Sequence, residues 1–235
     1  MYFPIIFLIS LIDVTNAIFT GMNCNYKGLI LDEDYDISAP PKNQTVESKV
    51  KILNIYEIDD IHQTILIYSK IYLRWDEPRI RINGTSPYVL RENTFARECI
   101  WSPKVMFSGQ LAFDTDHMGT QQAFVLTNRK DRVLVDYSFN ARSLISCPRF
   151  NFDKYPFDHQ ECSVILRAVT SKESFELDGF MYTDSILEWS DFNLQYEVRN
   201  RSVFEGSDKD YVMQYNKTAF GISLELVRYT SSSWK

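Results

Sequence analysis

Cys147 and Cys162 bracket fourteen residues, and this stretch limits what the chain can fold into more than any other. A disulfide between them would close a small, stiff loop and place the protein in an oxidising compartment. Closing a loop of this size stabilises a fold by about 3 kcal/mol, chiefly by restricting the unfolded chain. Within the loop, Pro156 fixes its own φ and pushes Tyr155 out of the helical region. An X-Pro bond in a tight turn is also where cis peptides occur. Tyr155 and Phe157 are expected to project as two apolar prongs, and such prongs need a partner surface.

Four cysteines allow three pairings. Cys147 with Cys162 is favoured, and Cys24 with Cys99 is the second pair expected. Residues 1–17 read as a signal peptide, with an apolar core from Tyr2 to Ile12 and small residues at Thr15-Asn16-Ala17 for cleavage. The apolar run is too short to span a bilayer, so the mature chain is expected to be lumenal or extracellular. Asn43, Asn83, Asn200 and Asn216 each stand in an Asn-x-Ser/Thr acceptor site, which agrees with that compartment. The formal net charge of −6 excludes nucleic acid as an expected partner, because phosphate binding needs a basic surface.

Residues 18–44 form an N-terminal segment that mixes acidic residues with Pro40-Pro41, and it reads as a loop or a short helix. Period-two alternation begins after it. In Val50–Ile58 the even positions are mostly apolar, and Ile65, Ile67, Ile71, Leu73 and Trp75 alternate in the next strand, broken only by Ser69. Arg132–Ser138 feeds the cysteine stretch, Cys162–Val169 leaves it, and Phe220–Arg228 alternates cleanly near the C-terminus. Many short strands separated by turn signals predict an all-β fold, an immunoglobulin-like β-sandwich of about ten strands. No helical pattern is long enough to be a core element.

Tyr155-Pro-Phe-Asp-x-Gln-x-Cys162 is similar to the signature loop of the Cys-loop receptors, the pentameric neurotransmitter-gated ion channels. The loop is one residue longer than the family's, and the extra residue, before Tyr155, is expected to be absorbed as a bulge. Trp75-Asp-Glu77-Pro-Arg79-Ile80 resembles the family's Trp-x-Asp-x-Arg-Leu segment, with Glu77 standing where Asp is usual. Trp101-x-Pro103 resembles its Trp-x-Pro-Asp, with Lys104 in place of the Asp. The resemblance covers residues 45–235, read as the ligand-binding domain. It implies an extracellular domain at a synaptic or cell surface, a neurotransmitter-like ligand, and identical or related subunits in a pentamer. It also implies that Asp158 pairs with Arg228, linking the Tyr155-Pro156-Phe157-Asp158 loop to a membrane segment.

In the family, ligands sit between subunits in a box of aromatic rings that holds an amine by cation–π attraction. Carried over position by position, that box falls on Val169, Lys70 and Lys217, with Phe107 close to a fourth place and Tyr211 and Tyr215 near Lys217. Each missing ring forfeits about 0.5–2 kcal/mol for a cation, and Lys70 and Lys217 would repel one. Three readings stay open: a site completed by another subunit, a different and anionic ligand, or lost ligand binding.

After residue 17 there is no apolar stretch near eighteen residues, so no transmembrane domain is expected in this polypeptide. The alternatives are a channel subunit without its membrane part and a secreted binding protein similar to acetylcholine-binding protein. Phe150, Phe152, Tyr155 and Phe157 favour the channel subunit, since an apolar loop wants a cover. No hydrolase elbow, phosphate-cradling loop, metalloprotease helix or Cys-x-x-Cys pair occurs, and His62, His117 and His159 are scattered. An enzyme, a cofactor and a metal site are therefore not expected. A lectin-like adhesive sandwich is the remaining alternative.

Overall fold

The alternation in Thr64–Glu77 builds a strand whose odd positions from Ile65 to Trp75 are all buried, each at 1% exposure or less. Ser69 keeps the same phase and is fully buried, so the polar interruption in the sequence does not interrupt the strand. The computed structural model describes residues 28–84, 87–91, 99–115, 123–130, 132–155, 158–169, 175–183, 187–191, 194–201 and 219–229.

Fourteen strands and no helix are found among the described residues. They are β1 (Leu29–Leu31), β2 (Thr45–Asp59), β3 (Thr64–Glu77), β4 (Ile80–Ile82), β5 (Tyr88–Arg91), β6 (Val105–Phe107) and β7 (Gln110–Thr115). β8 (Ala123–Arg129), β9 (Arg132–Ser146), β10 (His159–Ala168), β11 (Glu176–Thr183), β12 (Leu187–Asp191), β13 (Leu194–Arg201) and β14 (Ala219–Tyr229) follow. The fold is a β-sandwich. A seven-stranded sheet runs β11-β2-β3-β9-β8-β5, with β7 also paired to β9. A five-stranded sheet runs β12-β13-β14-β10-β6, and β1 pairs with β4 in a small ribbon. The surplus over ten strands comes largely from β1, β4 and β6, each of three residues. Runs that short carry too few alternations to be read from sequence.

β3 pairs with β9 without a break, from Thr64 opposite Ser146 to Glu77 opposite Val133. β8 occupies the other edge of β9 up to Ser138, and β7 takes over that edge from Ala141 to Ile145. β11 lies parallel to β2, and Gly179 allows the contact, since a Cβ there would stand 2.1 Å from the carbonyl oxygen of Ser48. Ile65, Ile67 and Leu126 from one sheet and Val164, Leu166, Leu224 and Leu226 from the other are all at 0% exposure in one core. Each such side chain contributes about 1.5–3 kcal/mol on burial.

β2 departs from its predicted phase. Val46, Val50 and Ile52 face the core, but register shifts between Ile52 and Asn54 and between Ile55 and Glu57 move the buried positions to Ile55 and Ile58. Asn54 is therefore half-buried and Tyr56 points outward. The N-terminal segment, expected as a loop or short helix, contains β1 and turns in its described part. The described stretch 148–155 between β9 and β10 belongs to no ladder. It carries turns closed by Arg149 N to Cys147 O and Tyr155 N to Phe152 O, and no β-bulge among its described residues.

At the far end of β3, Glu77 is fully buried and receives Arg79 through Nε to Oε1 at 2.8 Å and Nη2 to Oε2 at 2.9 Å. Arg79 Nη1 also donates to the carbonyls of Asp36 and Ala39 at 3.1 Å, and its guanidinium lies 4.6 Å from the Tyr35 ring. The Tyr35 hydroxyl accepts the Trp101 amide at 2.7 Å, and burial pushes its pKa well above the ordinary tyrosine value. Trp101 meets Trp75 edge-on at 5.7 Å, and Phe175 at the same separation. The longer side chain at position 77 thus still makes a two-pronged grip on Arg79. Replacing Glu77 by Ala leaves a half-buried guanidinium with backbone acceptors only, and is expected to lower stability by about 3 kcal/mol. The urea midpoint should fall while the slope stays unchanged.

Candidate functional site

The cysteine stretch forms a closed loop. Cys147 follows β9, Cys162 lies within β10, and the two are disulfide-bonded with Cα atoms 5.1 Å apart. The Cys147 amide donates to the Gln63 carbonyl at 2.7 Å, which ties the loop to the β2–β3 turn. Inside the loop, Asn151 N donates to Gln160 Oε1 at 2.6 Å, and Gln160 Nε2 returns a bond to Asn151 O at 2.8 Å. Phe150 is buried in the core at the loop's base, while Phe152 and Tyr155 reach solvent. Pro156 and Phe157 lie outside the described residues.

Arg228, near the end of β14, is brought to this loop by the β10–β14 ladder, which places His159 opposite Val227. Its side chain is fully buried. Nε stands 3.2 Å from Asp158 Oδ1, and Nη2 donates to Asp60 Oδ2 at 2.6 Å. Its own amide donates to the Asp158 carbonyl at 3.3 Å, and Gln160 Nε2 donates to Asp158 Oδ2. The guanidinium lies 4.8 Å from the Tyr155 ring and 5.9 Å from the Phe152 ring. A charge this deep is tolerable only when paired and hydrogen-bonded. Three segments distant in sequence, the β2–β3 turn, the loop and β14, therefore converge on one guanidinium.

Two exposed apolar side chains belong to the segments that meet in this cluster. Ile61, at the tip of the β2–β3 turn, is 88% exposed, and Tyr155 is 62% exposed. Asp59 orders that turn by accepting the amides of Ile61 and His62 at 2.9 Å and facing His62 Nδ1 at 2.6 Å. The donors from His62, its amide first, hold the Asp59 carboxyl below the usual carboxylate range.

The outer face of the seven-stranded sheet carries a second constellation. Phe180, Lys49, Tyr72 and Ser138 form one cross-strand row, and Tyr182, Lys51, Lys70 and Asn140 the next. Lys49 Nζ lies 5.5 Å from the Phe180 ring and 5.0 Å from the Tyr182 ring, and Lys70 Nζ lies 4.9 Å from Tyr72. Beside them is a cleft of about 310 Å³ whose walls include Lys49, Tyr72 and Phe180, and whose Arg74 and Asp136 are paired at 2.5 Å.

The residues expected to form a ligand box do not meet within the chain. Lys70 lies on the outer face of one sheet, and Val169, 43% exposed, follows the end of β10 in the other. Phe107, expected at a binding face, is fully buried in the core opposite Leu166, and its side chain cannot reach a ligand without leaving that core. Tyr211, Tyr215 and Lys217 lie outside the described residues. Cys99 is disulfide-bonded, and Cys24 lies outside the described residues. Asn43 and Asn83 are exposed, Asn200 lies in β13, and Asn216 is outside the described residues. Among the described residues no group of His, Cys, Asp and Glu is placed to hold a metal ion, and no helix is long and apolar enough to cross a membrane.

Two participants escaped the sequence reading. Asp60 carries no motif, and only the fold brings it to Arg228. Tyr72 alternates with the buried Ile71 and Leu73, so the strand period alone could have placed it on the face of Lys70.

Asp158→Asn keeps the shape of the loop but removes one of the two carboxylates facing a buried guanidinium, and is expected to cost about 3 kcal/mol in urea unfolding. A second expectation concerns pH. Because the folded-state pKa of Asp59 is depressed, its contribution is complete above about pH 3.9 and is lost as pH falls through the lower folded-state value. The protection of the Ile61 and His62 amides, measured as hydrogen exchange relative to the intrinsic rate at each pH, should therefore hold at about pH 5 and fall selectively on further acidification.

The neurotransmitter-gated ion-channel ligand binding domain profile matches residues 29–218, and so reaches sixteen residues further toward the N-terminus than the resemblance read from the motifs. Acetylcholine receptor-like protein cup-4 of Caenorhabditis briggsae is 24% identical over 152 residues, which is 62% of this chain and 35% of that protein. The chain thus spans about a third of the length of this curated relative. With the sandwich fold, the closed disulfide loop and a profile match over most of its length, the chain belongs to the neurotransmitter-gated ion-channel ligand-binding domain family.

Proposed function

We propose that this chain is the extracellular ligand-binding domain of a subunit of a pentameric ligand-gated channel, and that the Arg228 cluster couples ligand binding to a pore. The observation that carries this reading is the guanidinium of Arg228, clasped by Asp158 and Asp60 directly beneath the exposed Tyr155 and Phe152. β14 ends one residue after Arg228, so a displacement of the disulfide loop or the β2–β3 turn is passed to whatever follows that strand. The exposed Ile61 and Tyr155 give a membrane domain an apolar surface to rest on. The N-terminal 17 residues act as a secretion signal, and Asn43 and Asn83 accept glycans on the outside of the cell.

The ligand binds between subunits, one of which presents the Lys70 face. There Lys51 stands directly across from Lys70, and Lys49 lies one row away. Two ammonium groups at this spacing disfavour an amine and favour a ligand with a carboxylate or another anionic group, while the flanking rings exclude water.

Intrinsic fluorescence titration of the secreted protein tests the ligand class. Carboxylate-bearing amino acids are expected to bind more tightly than quaternary amines, and Lys70→Glu is expected to weaken carboxylate binding about tenfold or more. Tighter binding of the amines, unchanged by Lys70→Glu, would overturn the assignment. Light scattering on the same sample reads the assembly, for which a pentamer is expected once ligand is bound.

A further inference from the structure

A second cleft, of about 650 Å³, lies at the other end of the domain. β3 begins opposite Ser146, next to the disulfide, and ends at Glu77 opposite Val133, so the two ends are about 45 Å apart along the strand. Pro78, Ile80, Arg81 and Ile82 form one wall, and Asn128, Arg129, Lys130, Arg132 and Val133 form the other. Ile80 and Val133 are buried at 1% exposure or less, so the accessible lining is dominated by polar and cationic groups. Among the described residues, no carboxylate lines it.

The charge pattern runs against the composition. In a chain of net charge −6, four cations surround one cleft. Arg129 stands directly opposite Arg132 in the β8–β9 hairpin, and like charges directly opposite each other destabilise a strand pair. Arg132 is offset by Asp76 at 3.1 Å, and Arg81 only distantly by Asp32 at 3.9 Å. Arg129 and Lys130 are exposed and make no ion pair with a described residue. Arg81 comes to the same cleft from β4, so the cations that line it are supplied by two separate elements. That arrangement suits a hydrophilic ligand with several separated, permanently charged oxyanions. Arginine forks bind such groups through paired N–H donors.

We propose that this cleft binds a sulfated oligosaccharide, with its sulfate groups held by Arg81, Arg129, Lys130 and Arg132. The site is separate from both the Arg228 cluster and the Lys70 face. It lets the domain be anchored by the sulfated glycans of a cell surface or matrix while those sites stay open.

Calorimetric titration of the full chain with a heparin-derived tetrasaccharide, and with the same sugar chemically desulfated, tests this. Only the sulfated sugar is expected to bind. The double variant Arg129→Ser, Lys130→Ser should weaken it about tenfold or more, since it removes two charge-assisted contacts. Arg149→Ser, Lys154→Ser removes the same two residue types at the disulfide end, and should leave the affinity within about twofold. Near-UV circular dichroism checks that both variants fold. Equal losses in the two variants, equal binding of the desulfated sugar, or no binding of the sulfated one would each overturn the proposal.

Discussion

The unbroken ladder between β3 and β9 is the constraint on which the rest of the domain depends. Fourteen register pairs hold the two strands together from Thr64 to Glu77. Every inward residue of β3 is buried in the sandwich, and every outward residue stands on the face that carries Lys70 and Tyr72. Because the side-chain period of a strand is two, a slip of one residue would exchange these sets and turn Trp75 and four Ile or Leu side chains out to water. The same ladder delivers Glu77 to one end of the domain and the β2–β3 turn to the other.

Each end is then locked by a guanidinium. Arg79 joins Glu77, Tyr35 and two backbone carbonyls, and Arg228 joins Asp60, Asp158 and two aromatic rings. Buried ion pairs of this kind add little net stability relative to apolar packing, because desolvation offsets most of the attraction. Their value is geometric. A planar guanidinium with five fixed donors satisfies several acceptors only when their segments sit in one arrangement. At the Arg228 end, this converts three independent loops and strands into one unit, which is the property a coupling element needs.

The sequence was most legible where a covalent or stereochemical constraint acts over a short distance. The disulfide loop, the alternation of β3 and β14, and the pairing of Asp158 with Arg228 implied by the motif all correspond to geometry in the structure. It was least legible where a local irregularity resets a periodic pattern. The two register shifts in β2 turn Tyr56 outward, and nothing in Val50–Ile58 marks where they fall. Positional transfer also failed at Phe107, because an aromatic ring at a matching offset is as readily used for core packing as for a binding surface.

By itself the sequence determined the all-β character and the closed loop, which follow from residue type and spacing along the chain, and its motifs carried the resemblance to the family. Tertiary structure decided which charges meet: Asp60 with Arg228 across 168 residues, Lys51 beside Lys70, and Arg81 with Arg129 and Lys130 around one cleft. The physical reason is that strand pairing and sheet packing bring distant residues within a few ångströms. Electrostatic interactions depend on that separation and on local burial, neither of which is written in a linear order of residues.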